Sequence, residues 1–292
     1  MYSRRDFGKI ALAGLPISAA VAATSRSSDV NGVTLGVMTY SYRDLPHAPS
    51  GDAVDAILEA LKDDQASVIE LYAPGVEPAS LKREELRSWR LGTPLNHFKA
   101  VRKKFDDAGI RIHAFCMNYR NDFTDEEIDR TFEQAAALGT NTIATSTQVT
   151  MAKRLVPFAE KHRIYIAFHG HSNIKNPDEF ATPESFETAL KMSRYSRINL
   201  DIGHFTAAGY DAVSFIQQQH DRITHLHVKD RKKNDGPNVP WGEGDTPIKQ
   251  VLQLLKEKKY PIPALVEYEY RGTGTSPAEV QKCLDYMRRA LA

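Results

Sequence analysis

Apolar residues recur along this chain in two alternating rhythms. Short runs rich in β-branched and aromatic residues are bounded by turn or polar signals: "TLGVMTYS", "SVIELY", "IRIHAFCM", "NTIATS", "IYIAFH", "INLDI", "ITHLHV" and "ALVEYEY". They predict eight strands. Between them lie longer stretches with helical spacing, among them "DAVDAILEALKDD", "DEEIDRTFEQAAALG" and "PIKQVLQLLKEKK", which predict eight helices. Several begin after Ser, Thr or Asp and stop at Gly or a Lys cluster, as caps and the helix dipole favour. Strict alternation implies a parallel sheet with crossover helices. Eight such units in about 260 residues match the size of a closed (β/α)8 TIM barrel, an α/β fold in one domain. A doubly wound open sheet would carry a Gly-rich phosphate turn after its first strand, and "TYSYRDLPHAPSG" is no such turn.

The N-terminus breaks the rhythm. Ser3-Arg4-Arg5, Phe7 and Lys9 resemble the twin-arginine export signal, S-R-R-x-F-x-K, and Ala20-Val21-Ala22 forms an A-x-A cleavage site. The apolar run between them is too short for a stable spanning helix. We therefore expect a signal peptide over residues 1–22, a linker over 23–32 and the barrel over 33–292. The mature protein is expected in the periplasm or otherwise exported, with no membrane segment. A net charge of +1 argues against a nucleic-acid binder, and Cys116 and Cys283 fit no zinc-finger or disulfide spacing.

In a barrel of this kind, chemistry gathers at the C-terminal ends of the strands. Glu70 ends the second predicted strand, and His169-Gly170-His171 ends the fifth. Asp201 with Gly203-His204 ends the sixth, His225, His227, Lys229 and Asp230 the seventh, and Glu267 and Glu269 lie on the eighth. Carboxylates and imidazoles thus converge from at least four strands, a donor mixture suited to a divalent cation of the Mn2+, Co2+, Mg2+ or Zn2+ group. Burying so many ionisable groups without a cation would carry a large desolvation penalty. Asp201, His227 and Glu267 form the core of this expectation. His113, mid-strand, fits a wall residue, and His225, one step deeper than His227, fits a support. Trp241 is a candidate for stacking on a sugar face, and Asp230 for capping its loop.

Taken together, "NLDIGHF", "HLHVKD", "WGEGDTPIKQVL" and "ALVEYEY" resemble the xylose isomerase-like TIM-barrel family of sugar phosphate isomerases and epimerases. The resemblance covers the whole expected barrel and implies one divalent metal held at the ends of four strands. It assigns metal-ligand positions to Asp201, His227 and Glu267, and a substrate-touching position to His204. Where epimerases of the family commonly carry a glutamate after strand 5, this chain has His169, which retains a metal-binding side chain but not a paired-carboxylate mechanism. The resemblance implies a metal-dependent isomerase or epimerase that abstracts a proton beside the carbonyl of a sugar or keto-sugar, through a metal-stabilised enediolate. Glu70, His171, His204 and Glu269 are the base candidates, unranked, and Lys229 is placed to steady an oxyanion or hydroxyl. Two alternatives are a 3-keto-glycoside lyase or hydratase on the same site, and a non-catalytic metal- or sugar-binding barrel. Barrels of the family often assemble as dimers or tetramers, so a homo-oligomer is compatible with the resemblance.

Overall fold

The structure, a computed structural model, describes residues 28–48 and 51–292. The expected twin-arginine signal over residues 1–22, and the linker as far as residue 27, lie outside the described residues. A short strand, β1 (Asp29–Val30), hairpins onto β2 (Val33–Met38). There follow β3 (Val68–Tyr72), β4 (Arg111–Cys116), β5 (Thr142–Thr145), β6 (Tyr165–His169), β7 (Ser196–Asp201), β8 (Ile223–Val228) and β9 (Ala264–Val266). Strands β2 to β9 are parallel neighbours in sequence order, and β9 pairs back onto β2 through Leu35↔Ala264 and Val37↔Val266. The sheet therefore closes into an eight-stranded barrel, as the alternation predicts.

Its helices among the described residues are α1 (Val54–Asp63), α2 (Arg83–Gly92), α3 (Leu95–Asp107), α4 (Asp125–Ala137), α5 (Val149–His162), α6 (Pro183–Leu190), α7 (Ile202–Ala207), α8 (Ala212–Gln219), α9 (Ile248–Lys258) and α10 (Ser276–Leu291). Two of these correct the expected count of eight. α2 lacks an apolar stripe and is held by charge instead. Its buried Arg90 donates to Glu77 at 2.6 Å and to Glu127 at 2.9 Å, and its Arg83 donates to Glu127 and Asp122. α7 is too short for periodicity to register.

Residues 28–30 also depart from the linker expected over 23–32. Besides the β1–β2 pairing, the Ser28 hydroxyl accepts hydrogen bonds from the Ser67 amide and hydroxyl, both at 2.8 Å. Strand residues such as Val37, Ile69, Ile143, Ile166 and Leu226 are fully buried between barrel and helices. Each such side chain contributes on the order of 1.5–3 kcal/mol on leaving water. This dry frame fixes where the polar strand ends project.

Candidate active site

Sheet register assembles the site. His169 ends β6 and Asp201 ends β7, Asp201 lies directly opposite His227 of β8, and Glu267 follows the last residue of β9. Through these positions His169, Asp201, His227 and Glu267 each offer a donor atom, all within 4.8 Å of one another and all buried. His169 Nε2 stands 3.5 Å from Asp201 Oδ2 and 3.8 Å from Glu267 Oε2, and His227 Nδ1 stands 3.3 Å from Glu267 Oε2. None of these donor atoms has an aligned hydrogen-bond partner, and neither ring nitrogen of His169 has one. Buried polar atoms normally make aligned hydrogen bonds, so a quartet of ligand-type atoms that face one point without them has the chemistry of a cation site.

Beneath this quartet, Glu70 is completely buried. Its Oε2 accepts from His225 Nε2 at 2.5 Å and from His227 Nε2 at 2.8 Å. With Nε2 carrying the proton, His227 Nδ1 is left as the open donor facing the quartet. Burial opposes charge on Glu70, but the two imidazoles outweigh it and hold its carboxyl well below the usual range. His227 is pushed above its ordinary value because Glu70 and Glu267 overcome its burial. His225 supports Glu70 rather than His227, and His113 packs edge-on against His225 with its Nε2 on the Thr224 carbonyl, a wall position.

Lys229 Nζ lies 2.7 Å from Glu267 Oε2, 3.0 Å from Asp201 Oδ2 and 2.5 Å from Glu269 Oε2. The first two contacts are ion pairs off the hydrogen-bonding direction; only the third is an aligned hydrogen bond. Burial acts against its charge, yet the three carboxylates raise its pKa above the ordinary lysine value. Close approach depends on Gly203, where a Cβ would stand 2.4 Å from Lys229 Cγ. Three carboxylates, Asp201, Glu267 and Glu269, here surround one ammonium. That negative excess favours an added cation.

His204 is held differently from a base. Arg231 Nη1 stands 2.5 Å from its Nδ1, and an arginine always donates. Lys229 Nζ, also a donor, stands 3.0 Å from its Nε2, so both ring nitrogens face cations and neither is open as a base. Burial and the Lys229 charge keep the ring neutral. His171 lies 3.3 Å from the Ser146 hydroxyl through Nε2, and burial, with His169 and Lys229, lowers its pKa to about 3. Both bonds to Glu269, from Lys229 Nζ and from Asn238 Nδ2 at 3.3 Å, go to Oε2. Its Oε1 takes none from the described residues.

All of these expected catalytic residues, Glu70, His171, His204, Lys229 and Glu269, line one cavity of about 240 Å³. Trp241 does not; it packs edge-on against Tyr286 of α10. Asp230 accepts from the amides of Gly242, Gly244 and Thr246, and so ties down the loop carrying it, as a loop-capping role requires. Sequence reading missed Asn199, whose Nδ2 is 3.1 Å from His227 Nε2, and the rim residues Tyr40, Tyr72 and Arg120. Asn199 had a signal, since it shares a strand face with Asp201. The rim residues sit in a short 3-10 turn, at a strand end and in a loop, where no period marks them.

Known proteins are similar to this chain in sequence or in fold. The L-ribulose-5-phosphate 3-epimerase UlaE of Salmonella paratyphi A is 26% identical over 150 residues, 51% of this chain and 47% of the relative. The chain spans about half the length of the curated relatives it matches. The crystal structure of the IolI protein with a bound zinc atom superimposes with a TM-score of 0.64 at 16% identity, covering 88% of this chain and 97% of that one. The 3-keto-D-glucoside 4-epimerase YcjR of E. coli superimposes with a TM-score of 0.62 at 13% identity, covering 88% and 99%. At these identities the superpositions speak for the fold. The xylose isomerase-like TIM barrel model matches residues 58–290, nearly the whole closed barrel, and on that match the chain belongs to the xylose isomerase-like TIM barrel family.

Proposed function

We propose that this protein is a divalent-metal-dependent isomerase or epimerase of a sugar or keto-sugar. The observation that carries the reading is the convergence of four buried ligand-type side chains, His169, Asp201, His227 and Glu267, whose facing atoms make no aligned hydrogen bond. Its mixed nitrogen and oxygen donors suit a first-row divalent ion or magnesium. When bound, such an ion would supply Lewis-acid polarisation of a substrate carbonyl. The relatives named as sugar epimerases support the substrate class.

The chain's own groups divide the remaining work. Glu269 Oε1, uncommitted at the cavity wall, is the base we favour for removing the proton beside the carbonyl. His204, with Arg231 on Nδ1 and Lys229 on Nε2, has no ring nitrogen open to act as a base. Lys229 places positive charge beside the oxygen on which negative charge develops. Glu70, locked by two histidines, holds His227 in position and has no route to a substrate proton.

His169 in place of a carboxylate leaves β6 without a second acidic base. That favours reactions served by one base, including departure of a β leaving group in place of reprotonation. The N-terminal S-R-R-x-F-x-K stretch supports export of the protein.

The test is metal analysis of the purified protein, together with turnover of a keto-sugar panel before and after chelation. Stoichiometric divalent metal and chelation-sensitive turnover are expected. Metal-free protein with unaltered turnover would refute the reading, and bound metal with no turnover on any substrate would favour a binding protein.

A further inference from the structure

We propose that the substrate carries a second, uncharged sugar unit, seated in an annex outside the β3–β4 rim, and that it bears no phosphate. This rests on the sugar reading of the main cavity.

The main cavity, about 240 Å³, falls below the range usual for clefts that enclose larger ligands, and suits a single ring. A second depression of about 230 Å³ adjoins it, and the two share Tyr72, Asn118 and Arg120. These residues end or follow β3 and β4, across the barrel mouth from Asp201 and His227 on β7 and β8. A ring held at the quartet would therefore direct a substituent over Tyr72 and Asn118 into the annex.

Charge and chemistry select the occupant. Arg83 and Arg90 line the annex, but both are committed: Arg83 to Asp122 and Glu127, and Arg90 to Glu77 and Glu127. In the main cavity Lys229 is committed to three carboxylates. Arg120, exposed at the junction, makes no side-chain hydrogen bond or ion pair with the described residues. One uncommitted guanidinium, in a depression that Asp122 also lines, is a poor match for a phosphate dianion, which calls for an excess of donors and positive charge. It is a good match for hydroxyls.

The Asn118 amide oxygen already accepts from the Ser146 amide at 2.8 Å, so its NH2 is available as a further donor. Tyr72 and Leu86, both half-buried, supply apolar surface for the face of a sugar ring. The annex thus combines an apolar wall with a few polar groups, the composition of a glycoside subsite.

Calorimetric binding to the metal-replete protein tests this. The probes are methyl α-glucoside, five disaccharides (maltose, cellobiose, lactose, trehalose and sucrose) and glucose 6-phosphate. At least one disaccharide is expected to bind about tenfold tighter than both single-ring probes. Leu86→Trp, which fills the annex, should abolish that advantage while leaving methyl glucoside binding unchanged, and Arg120→Ala should weaken the disaccharide. Equal binding of single-ring and two-ring sugars would overturn the annex while leaving the sugar reading intact. Tightest binding of the phosphate, lost in Arg120→Ala, would make the junction an anion site and overturn the proposal. Failure of every sugar to bind would overturn both this inference and the reading beneath it.

Discussion

Glu70 Oε2 accepts from His227 Nε2 at 2.8 Å, across the interior of the barrel, and His227 thereby turns Nδ1 toward Asp201 and Glu267. A buried carboxylate that fixes an imidazole in this way both orients it and raises its basicity. Glu70→Gln is expected to lower divalent-metal affinity by about 10–100-fold, measured by titrating metal into the stripped protein. It should also destabilise the fold by on the order of 3 kcal/mol, because two buried histidines lose their common anion. Unchanged metal affinity would remove Glu70 from this role.

Asp201 has two separate duties that one substitution can part. Its Oδ1 caps α7 by accepting from the His204 amide at 2.7 Å, while Oδ2 faces the quartet. Asp201→Asn should preserve the cap, since asparagine caps as well as aspartate, but it takes from buried Lys229 one of its three carboxylates, so the metal-free protein should melt at a lower temperature. Metal content by elemental analysis should fall sharply. Full metal retention would sink the assignment of Asp201 as a ligand.

Glu269→Gln distinguishes the base from the ligands. The substitution leaves the quartet intact, so bound metal should stay at the wild-type level. Turnover should fall by about 10²–10⁴-fold, the usual worth of a positioned base. A variant with near-normal kcat would redirect attention to His171.

Gly203→Ala probes the packing behind Lys229. The new Cβ would meet Lys229 Cγ at 2.4 Å and the Lys229 carbonyl oxygen at 2.8 Å. Overpacking of this kind costs about 1–3 kcal/mol. A lower melting temperature by calorimetry, with weakened catalysis from a displaced ammonium, is the expected outcome.

Acid stability carries a separate signature far from the site. Burial lifts the Asp64 carboxyl to about 6; the hydrogen bond from the buried Tyr42 hydroxyl opposes the shift, and Asp63 adds to it. Between the unfolded value near 4 and about 6, the folded protein keeps a proton that the unfolded chain has lost. Stability from this group is therefore fully present below about pH 4 and is lost as pH rises through 6, by on the order of 2–3 kcal/mol. Asp64→Asn should raise the melting temperature above pH 6 and change little at pH 4. An equal shift at both pH values would argue against a titrating Asp64.

The sequence by itself determined the barrel and the polar strand ends. Parallel strands that alternate with helices bury both faces, so each strand is a mainly apolar run that stands out, and a charge at its end is conspicuous. His169, Asp201, His227 and Glu267 were legible for that reason. Only the tertiary structure could sort the candidates around them. Glu70 and Glu269 are both glutamates near strand ends, yet one is sealed under His225 and His227 while the other keeps an oxygen free at the cavity wall. His204 reads as a base until Arg231, 27 residues away, occupies its Nδ1. Arg83, Arg90 and Arg120 look alike in sequence, and only their acidic partners in space separate committed charge from spare. Such distinctions depend on which side chains meet across the barrel, and no periodicity along the chain encodes those meetings.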